Sequence, residues 1–183
     1  MQIDAFTRSA ASIEALRGIA RLGVKGPDAA QLLAEAGLPV PASPNSVICL
    51  DPARHAGGGR CLRLGNSEFL VEQDVSDEAI LALQLTLTTT ALRAWPALRC
   101  DRSLVLRGPD TRALLLQICD FDFTTLEAAP HTAVMTLMAG ISVIIARDDK
   151  AAMPGIRIWC DPGFGDYLHD CLLTLLNATG TPA

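Results

Sequence analysis

Val24-Lys25-Gly26-Pro27-Asp28-Ala29-Ala30-Gln31-Leu32-Leu33 and Leu106-Arg107-Gly108-Pro109-Asp110-Thr111-Arg112-Ala113-Leu114-Leu115 are one pattern written twice. The order is an apolar residue, a base, Gly, Pro, Asp, three further residues and a Leu pair. The two glycines lie 82 residues apart in a chain of 183. The apolar residue and the base end a strand. Gly26 and Gly108 supply backbone freedom at a sharp turn. Pro27 and Pro109 suit the first helical position, where the missing N–H costs nothing. Asp28 and Asp110 in the first turn favour the positive end of the helix dipole. The Leu pair begins the buried face. Strand, tight turn, helix, twice at nearly half the chain length, reads as duplication.

Working outward, each half repeats the same order. Residues 1–13 read as a loose arm, and a strand follows from about Ala20. Pro27–Ala36 is a helix stopped by Gly37. The prolines from Pro39 to Pro44 keep that stretch extended. Ser46–Leu50 is a short strand and Asp51–Gly59 an exposed loop. Arg60–Leu64 and Glu68–Glu72 form a hairpin across Gly65-Asn66-Ser67. Ser76-Asp77-Glu78 opens the next element. Its Leu81, Leu83, Leu85 and Leu87 alternate like a strand. Alignment of Thr86 with Thr174 favours helix, because Tyr167, Leu168, Cys171, Leu172, Leu175 and Leu176 share one helical face.

In the second half Leu98–Leu106 reads as a strand, Pro109–Cys119 as a helix and Asp120–Pro130 as a loop. His131–Met138 and Ile141–Arg147 read as two buried strands bent at Gly140. Asp148–Pro154 is a turn, Gly155–Cys160 a strand, and Pro162-Gly163 opens the last helix. The expected fold is α+β, a pseudo-duplicated unit. Each half is strand, helix, about three mostly antiparallel strands, helix. The expected organisation is a single domain over residues 1–183, with halves of about 14–91 and 92–177.

Half of the residues are hydrophobic and only 19% are charged. A high Ala and Leu content explains this, and so does a surface covered by a partner. The net charge of −5 argues against a nucleic-acid or anionic-membrane surface. The six cysteines form no CxxC pair and read as buried free thiols in a reducing cytoplasm. No targeting segment is visible, and Ala133–Ala146 is too short to span a bilayer.

Arg21-Leu22-Gly23-Val24-Lys25-Gly26-Pro27, then Gly37-Leu38-Pro39-Val40-Pro41 with Pro44-Asn45, then Leu64-Gly65-Asn66-Ser67-Glu68-Phe69-Leu70 together resemble the gamma subunit family of heterotetrameric sarcosine oxidase. That family joins a Lys-Gly-Pro turn, a Gly-Leu-x-x-Pro loop and a Leu-Gly-Pro-x-Glu-x-Leu strand pair, so Asn66 replaces a Pro. Phe164-Gly165-Asp166-Tyr167-Leu168 resembles its last-helix start. The likeness runs from about residue 20 to 176.

The resemblance implies the folate-binding aminomethyltransferase-like fold, a duplication with exchanged strands. It implies a non-catalytic chain packed against alpha, beta and delta-type subunits. Those subunits carry the flavins, NAD, zinc and tetrahydrofolate of N-methyl amine oxidation, and this chain carries no cofactor. The Lys-Gly-Cys motif of iron–sulfur-linked relatives is absent, since Lys25-Gly26 is followed by Pro27.

The residues themselves assign no catalytic, cofactor-binding or metal site. His55, His131 and His169 fall at no metal-ligand spacing. Gly57-Gly58-Gly59 follows a loop and precedes no helix, so a flexible loop is favoured over a dinucleotide cradle. Gly163-Phe164-Gly165 sits at a helix start, where anion binding competes with a close-approach turn. Cys119 reads as core, and the Asp120 and Asp122 carboxylates as loop solvation. Arg21, Lys25 and Arg107 are candidate partner contacts and equally strand-end caps in water.

Three functions remain. One is the non-catalytic subunit. Another is a stand-alone folate-binding or one-carbon-transfer protein of the same fold. The third is a chain that self-associates through its apolar surface.

Overall fold

A computed structural model describes residues 11–55, 57–74, 77–149 and 153–178. Residues 1–10 of the arm expected over 1–13, Ser76 and the tip of the 148–154 turn lie outside the described residues. The chain divides into two compact units. The N-terminal unit is Arg17–Cys100 with His131–Val134. The C-terminal unit holds the residues up to Leu16, Asp101–Pro130 and those from Met135 on.

The sheet of the N-terminal unit contains β2 (Ala20–Lys25), β3 (Ser46–Leu50), β4 (Gly59–Arg63), β5 (Glu68–Gln73) and β6 (Trp95–Ala97). Their order is β3-β4-β5-β2-β6. The C-terminal sheet contains β1 (Ser12–Leu16), β7 (Arg102–Arg107), β8 (Ala133–Met138), β9 (Ile141–Asp148) and β10 (Gly155–Cys160), in the order β8-β9-β10-β7-β1. Four strands correspond one to one, and the fifth is exchanged. β1 precedes β2 in the chain but pairs antiparallel with β7. β6 precedes β7 but pairs with β2.

The chain is therefore a duplicated α+β fold with two antiparallel five-stranded sheets. Two expectations change at the exchange. Ser12 and Ile13, expected to end the arm, instead open the strand Ser12–Leu16. Leu98–Leu106 is not one strand, because Trp95–Ala97 pairs with β2 before the chain turns into Arg102–Arg107.

Helix α1 (Ala29–Glu35) buries Ala29, Leu32 and Leu33 and ends before Gly37 at φ 76°. Helix α2 (Glu78–Thr89) buries Ile80, Leu83 and Leu87 and packs on β2 and β5. Each fully buried leucine contributes about 1.5–3 kcal/mol. The alternation of leucines along α2 is two helical stripes, one facing in and one facing out. Thr86 Oγ1 donates to Ala82 O at 2.9 Å, and its aligned counterpart Thr174 donates to Asp170 O at 2.8 Å.

In the C-terminal unit α3 covers only Thr111–Leu115. The segment expected as a loop holds a further helix, α4 (Thr124–Ala128), started by Asp122. The Asp122 carboxylate accepts from the Thr124 N–H and hydroxyl at 3.0 and 2.7 Å. These bonds hold its carboxyl below the usual range. β8 and β9 join through Ala139 and Gly140, both at positive φ. β8 is an edge strand that exposes Met135 and Leu137, so it is not the buried strand expected. A single 3-10 turn over Pro162–Phe164 leads into α5 (Gly165–Ala178), which packs on β1 and β7.

Candidate functional site

The twin turns share their geometry. Gly26 and Gly108 sit at φ 139° and 126°. Ala29 N–H donates to Gly26 O at 3.1 Å and Thr111 N–H to Gly108 O at 3.2 Å. Leu32 N–H and Leu114 N–H each donate to the turn aspartate's carbonyl at 3.0 Å. Pro27 and Pro109 lie before the helix caps rather than inside the first turn. Asp28 is the cap residue of α1, yet its side chain makes no capping bond. It binds Arg93 instead, through the backbone N–H at 2.9 Å and the guanidinium at 3.0 Å. That contact holds the Asp28 carboxyl below its ordinary value. Asp110 likewise makes no side-chain capping bond at α3.

The bases beside the turns are engaged within their own sheets. Lys25 pairs with Glu68 on the neighbouring strand at 3.1 Å. Arg107 reaches Asp148 at 2.9 Å, two strands away, because both face Gly155 in register. A Cβ at Gly155 would stand 2.9 Å from Arg107 Cγ. Arg21 pairs with the fully buried Glu72, which also lies 4.0 Å from Arg60. Arg157 lies 3.5 Å from Asp148 and stacks over Trp159. Each sheet thus holds a carboxylate between two arginines, the geometry that keeps buried charge paired.

The remaining sequence candidates are dispersed. Gly58 and Gly59 are buried and Gly59 begins β4, so the glycine run is not simply a flexible loop. A Cβ at Gly59 would stand 2.1 Å from Glu72 O. Asp161 accepts from Gly163 N–H at 2.8 Å, which fills the helix start internally. His131 contributes its carbonyl to Val47 N–H at 2.8 Å, and His169 lies 3.7 Å from the adjacent Asp170. Cys119 is buried. No cluster of three metal-ligating side chains occurs among the described residues.

What the structure does bring forward is apolar surface. Leu81 and Leu85 are 54% and 68% exposed, one turn apart on the outer stripe of α2. From Ala79 to Leu92 the sequence has no charged residue. The outer face of α2 presents Leu81, Ala82, Gln84, Leu85, Thr88 and Thr89. In the same unit Trp95 and Leu98 are 57% and 90% exposed, and α2 contacts β6. An exposed helix face normally carries charge, and an uncharged one of this size marks an interaction surface. The leucine run was visible in the sequence. Its outward stripe was not, because one pattern served both a strand and a two-sided helix.

The C-terminal unit gathers a second apolar group around Ala139. Ala139 N–H donates to Ile118 O at 2.7 Å, and Tyr167 Oη donates to Ala139 O at 3.0 Å. Met135 and Leu137 on β8, and Tyr167 on α5, are exposed in the same unit.

No protein-family model and no curated protein matches the chain. Solved structures do. The duplicated fold with an exchanged edge strand is shared with two of them, the aminomethyltransferase-like fold that the resemblance implied. One chain of the heterotetrameric sarcosine oxidase of Corynebacterium sp. U-96, solved with pyrrole 2-carboxylate, superposes with a TM-score of 0.76. It is 20% identical over 97% of this chain and 89% of that one, so the two are of similar length. The glycine cleavage system aminomethyltransferase T of Bartonella henselae superposes with a TM-score of 0.71 and 19% identity over 92% of this chain. The chain spans 46% of the length of that enzyme. Among the described residues no helix is long and apolar enough to cross a membrane.

Proposed function

We propose that this chain is a non-catalytic, gamma-type subunit of a flavin-dependent, heterotetrameric sarcosine oxidase or a related N-methyl amine oxidoreductase. Its task is to cover surface of the catalytic chains and keep them in register. The observation that carries this reading is the uncharged, leucine-bearing outer face of α2, on a fold shared nearly end to end with a chain of a heterotetrameric sarcosine oxidase. A leucine at 68% exposure gains by burial against a partner. The partners are alpha, beta and delta-type chains in the cytoplasm. They hold the flavins, NAD, zinc and tetrahydrofolate, and this chain holds none. Neither nucleic acid nor membrane is a partner.

The test is purification from the native source through a tag on this chain. Stoichiometric recovery of flavin-bearing chains with sarcosine-dependent peroxide formation supports the reading. Recovery of the chain alone, monomeric and soluble, contradicts it. The likeness to an aminomethyltransferase favours a second reading, a stand-alone folate-binding or one-carbon-transfer protein. Calorimetry with tetrahydrofolate, set against p-aminobenzoylglutamate, separates the two, since only a folate-binding protein gives heat that requires the pterin.

A further inference from the structure

We propose that the C-terminal unit carries a binding site for a small organic anion, an oxyanion head on an apolar body. The site is independent of the docking surface on α2. It is a cavity of about 460 Å³ beside the second Gly-Pro-Asp turn. Small-molecule sites span roughly 300–1,000 Å³ and combine apolar walls with a few convergent polar groups. Here Phe123 and Leu126, both buried, supply the apolar wall.

Three donors line the cavity. Thr111 Oγ1 is buried and has no hydrogen-bond partner among the described residues. Buried hydroxyls are nearly always satisfied, so a lone one marks a place where a ligand atom completes the bonding. Among the described residues the Arg112 guanidinium stands 3.9 Å from Glu127, too long for a hydrogen bond, and also faces the Asp122 carboxylate, whose oxygen is already taken by Thr124. Arg147 gives its Nε to Asp149 at 2.6 Å, which leaves its terminal nitrogens uncommitted among the described residues. Two guanidiniums with spare donors select a planar or tetrahedral oxyanion. The apolar wall selects its body. Glu127, also on the lining, competes for Arg112 and sets the site at weak affinity.

The test is a nuclear magnetic resonance titration of the full chain with benzoate, phenyl phosphate, benzamide and inorganic phosphate. Benzoate and phenyl phosphate are expected to move the amide signals of Thr111, Arg112, Phe123 and Leu126 saturably, and their ratio decides between carboxylate and phosphate heads. Neutral benzamide and bodiless inorganic phosphate are each expected to bind at least roughly tenfold more weakly. Arg112→Met and Arg147→Met are each expected to lower affinity by roughly tenfold. Thr111→Val should weaken binding at an unchanged melting temperature. Glu127→Gln should tighten it, which a merely structural role for Glu127 would not do. Arg112 is half-exposed and its variant keeps the test sound if Arg147→Met does not fold. Absence of saturable shifts overturns the proposal. So does benzamide equal to benzoate, inorganic phosphate equal to phenyl phosphate, or native affinity in folded Arg112→Met.

Discussion

Asp28 and Arg93, 65 residues apart, exchange hydrogen bonds in both directions. Asp28 N–H donates to Arg93 O at 3.3 Å, and Arg93 returns its own N–H and two guanidinium nitrogens to the Asp28 carboxylate. The contact fastens the stretch after α2 onto the first Gly-Pro-Asp turn, just before β6 pairs with β2. The exchanged strand is thus fixed by a residue of the repeat motif. Because bonding to Arg93 lowers the Asp28 pKa in the folded state, the contact stabilises above the ordinary carboxylate range. That stability is lost as the pH falls through the lowered folded value. The denaturation midpoint of Asp28→Asn should therefore lie below wild type at neutral pH, and the gap should close in acid. A gap independent of pH would show that charge plays no part.

Gly26 is required by the same contact. A Cβ there would stand 2.2 Å from Arg93 O, at a φ of 139°. Gly26→Ala should cost about 3 kcal/mol or more in chemical denaturation, since strain and a backbone clash coincide. Gly37 also has a positive φ, but nothing lies within 4 Å of its Cβ position. Gly37→Ala should cost about 1–2 kcal/mol.

Burial sets the weight of the ion pairs. Glu72 is 0% exposed beside Arg21 and Arg60. Glu72→Gln leaves the buried Arg60 and the part-buried Arg21 short of their shared anion and should cost about 3–5 kcal/mol. Lys25 pairs with Glu68 at the surface, and Lys25→Met should cost about 1 kcal/mol or less in the same assay.

Thiol reactivity should follow exposure. Burial pushes Cys61 up to about 12 and is the main cause lifting Cys160 to about 11. Cys49 and Cys100 are exposed, against the expectation of buried thiols, because their side chains lie on outward positions of the chain. Brief alkylation of the native chain, read by peptide mass spectrometry, should label Cys49 and Cys100 first. Cys61, Cys119 and Cys160 should react only after unfolding.

Much of the fold was legible because local chemistry and topology agree in it. The twin motif located both strand–turn–helix units, and Gly65-Asn66-Ser67 located a hairpin. What was illegible depends on distant partners. No local signal marks Ser12–Leu16 as the edge of a sheet begun some 90 residues later. Asp28 reads as a dipole residue because Arg93 is invisible from its neighbourhood. The α2 leucines announced an element but not its outward face, since a period of two and two stripes at 3.6 look alike over a short run. Arg21 and Arg107 read as partner contacts or strand-end caps in water because Glu72 and Asp148, with which they pair, lie on other strands.

The docking role of α2 is tested most directly by co-purification of Leu81→Glu/Leu85→Glu with the catalytic chains. Both side chains point outward, so the variant should melt within about 0.5 kcal/mol of wild type. The expected result is a folded chain that no longer recovers the flavin-bearing partners, while wild type recovers them stoichiometrically. Undiminished recovery by the folded double variant would contradict the assignment of this face.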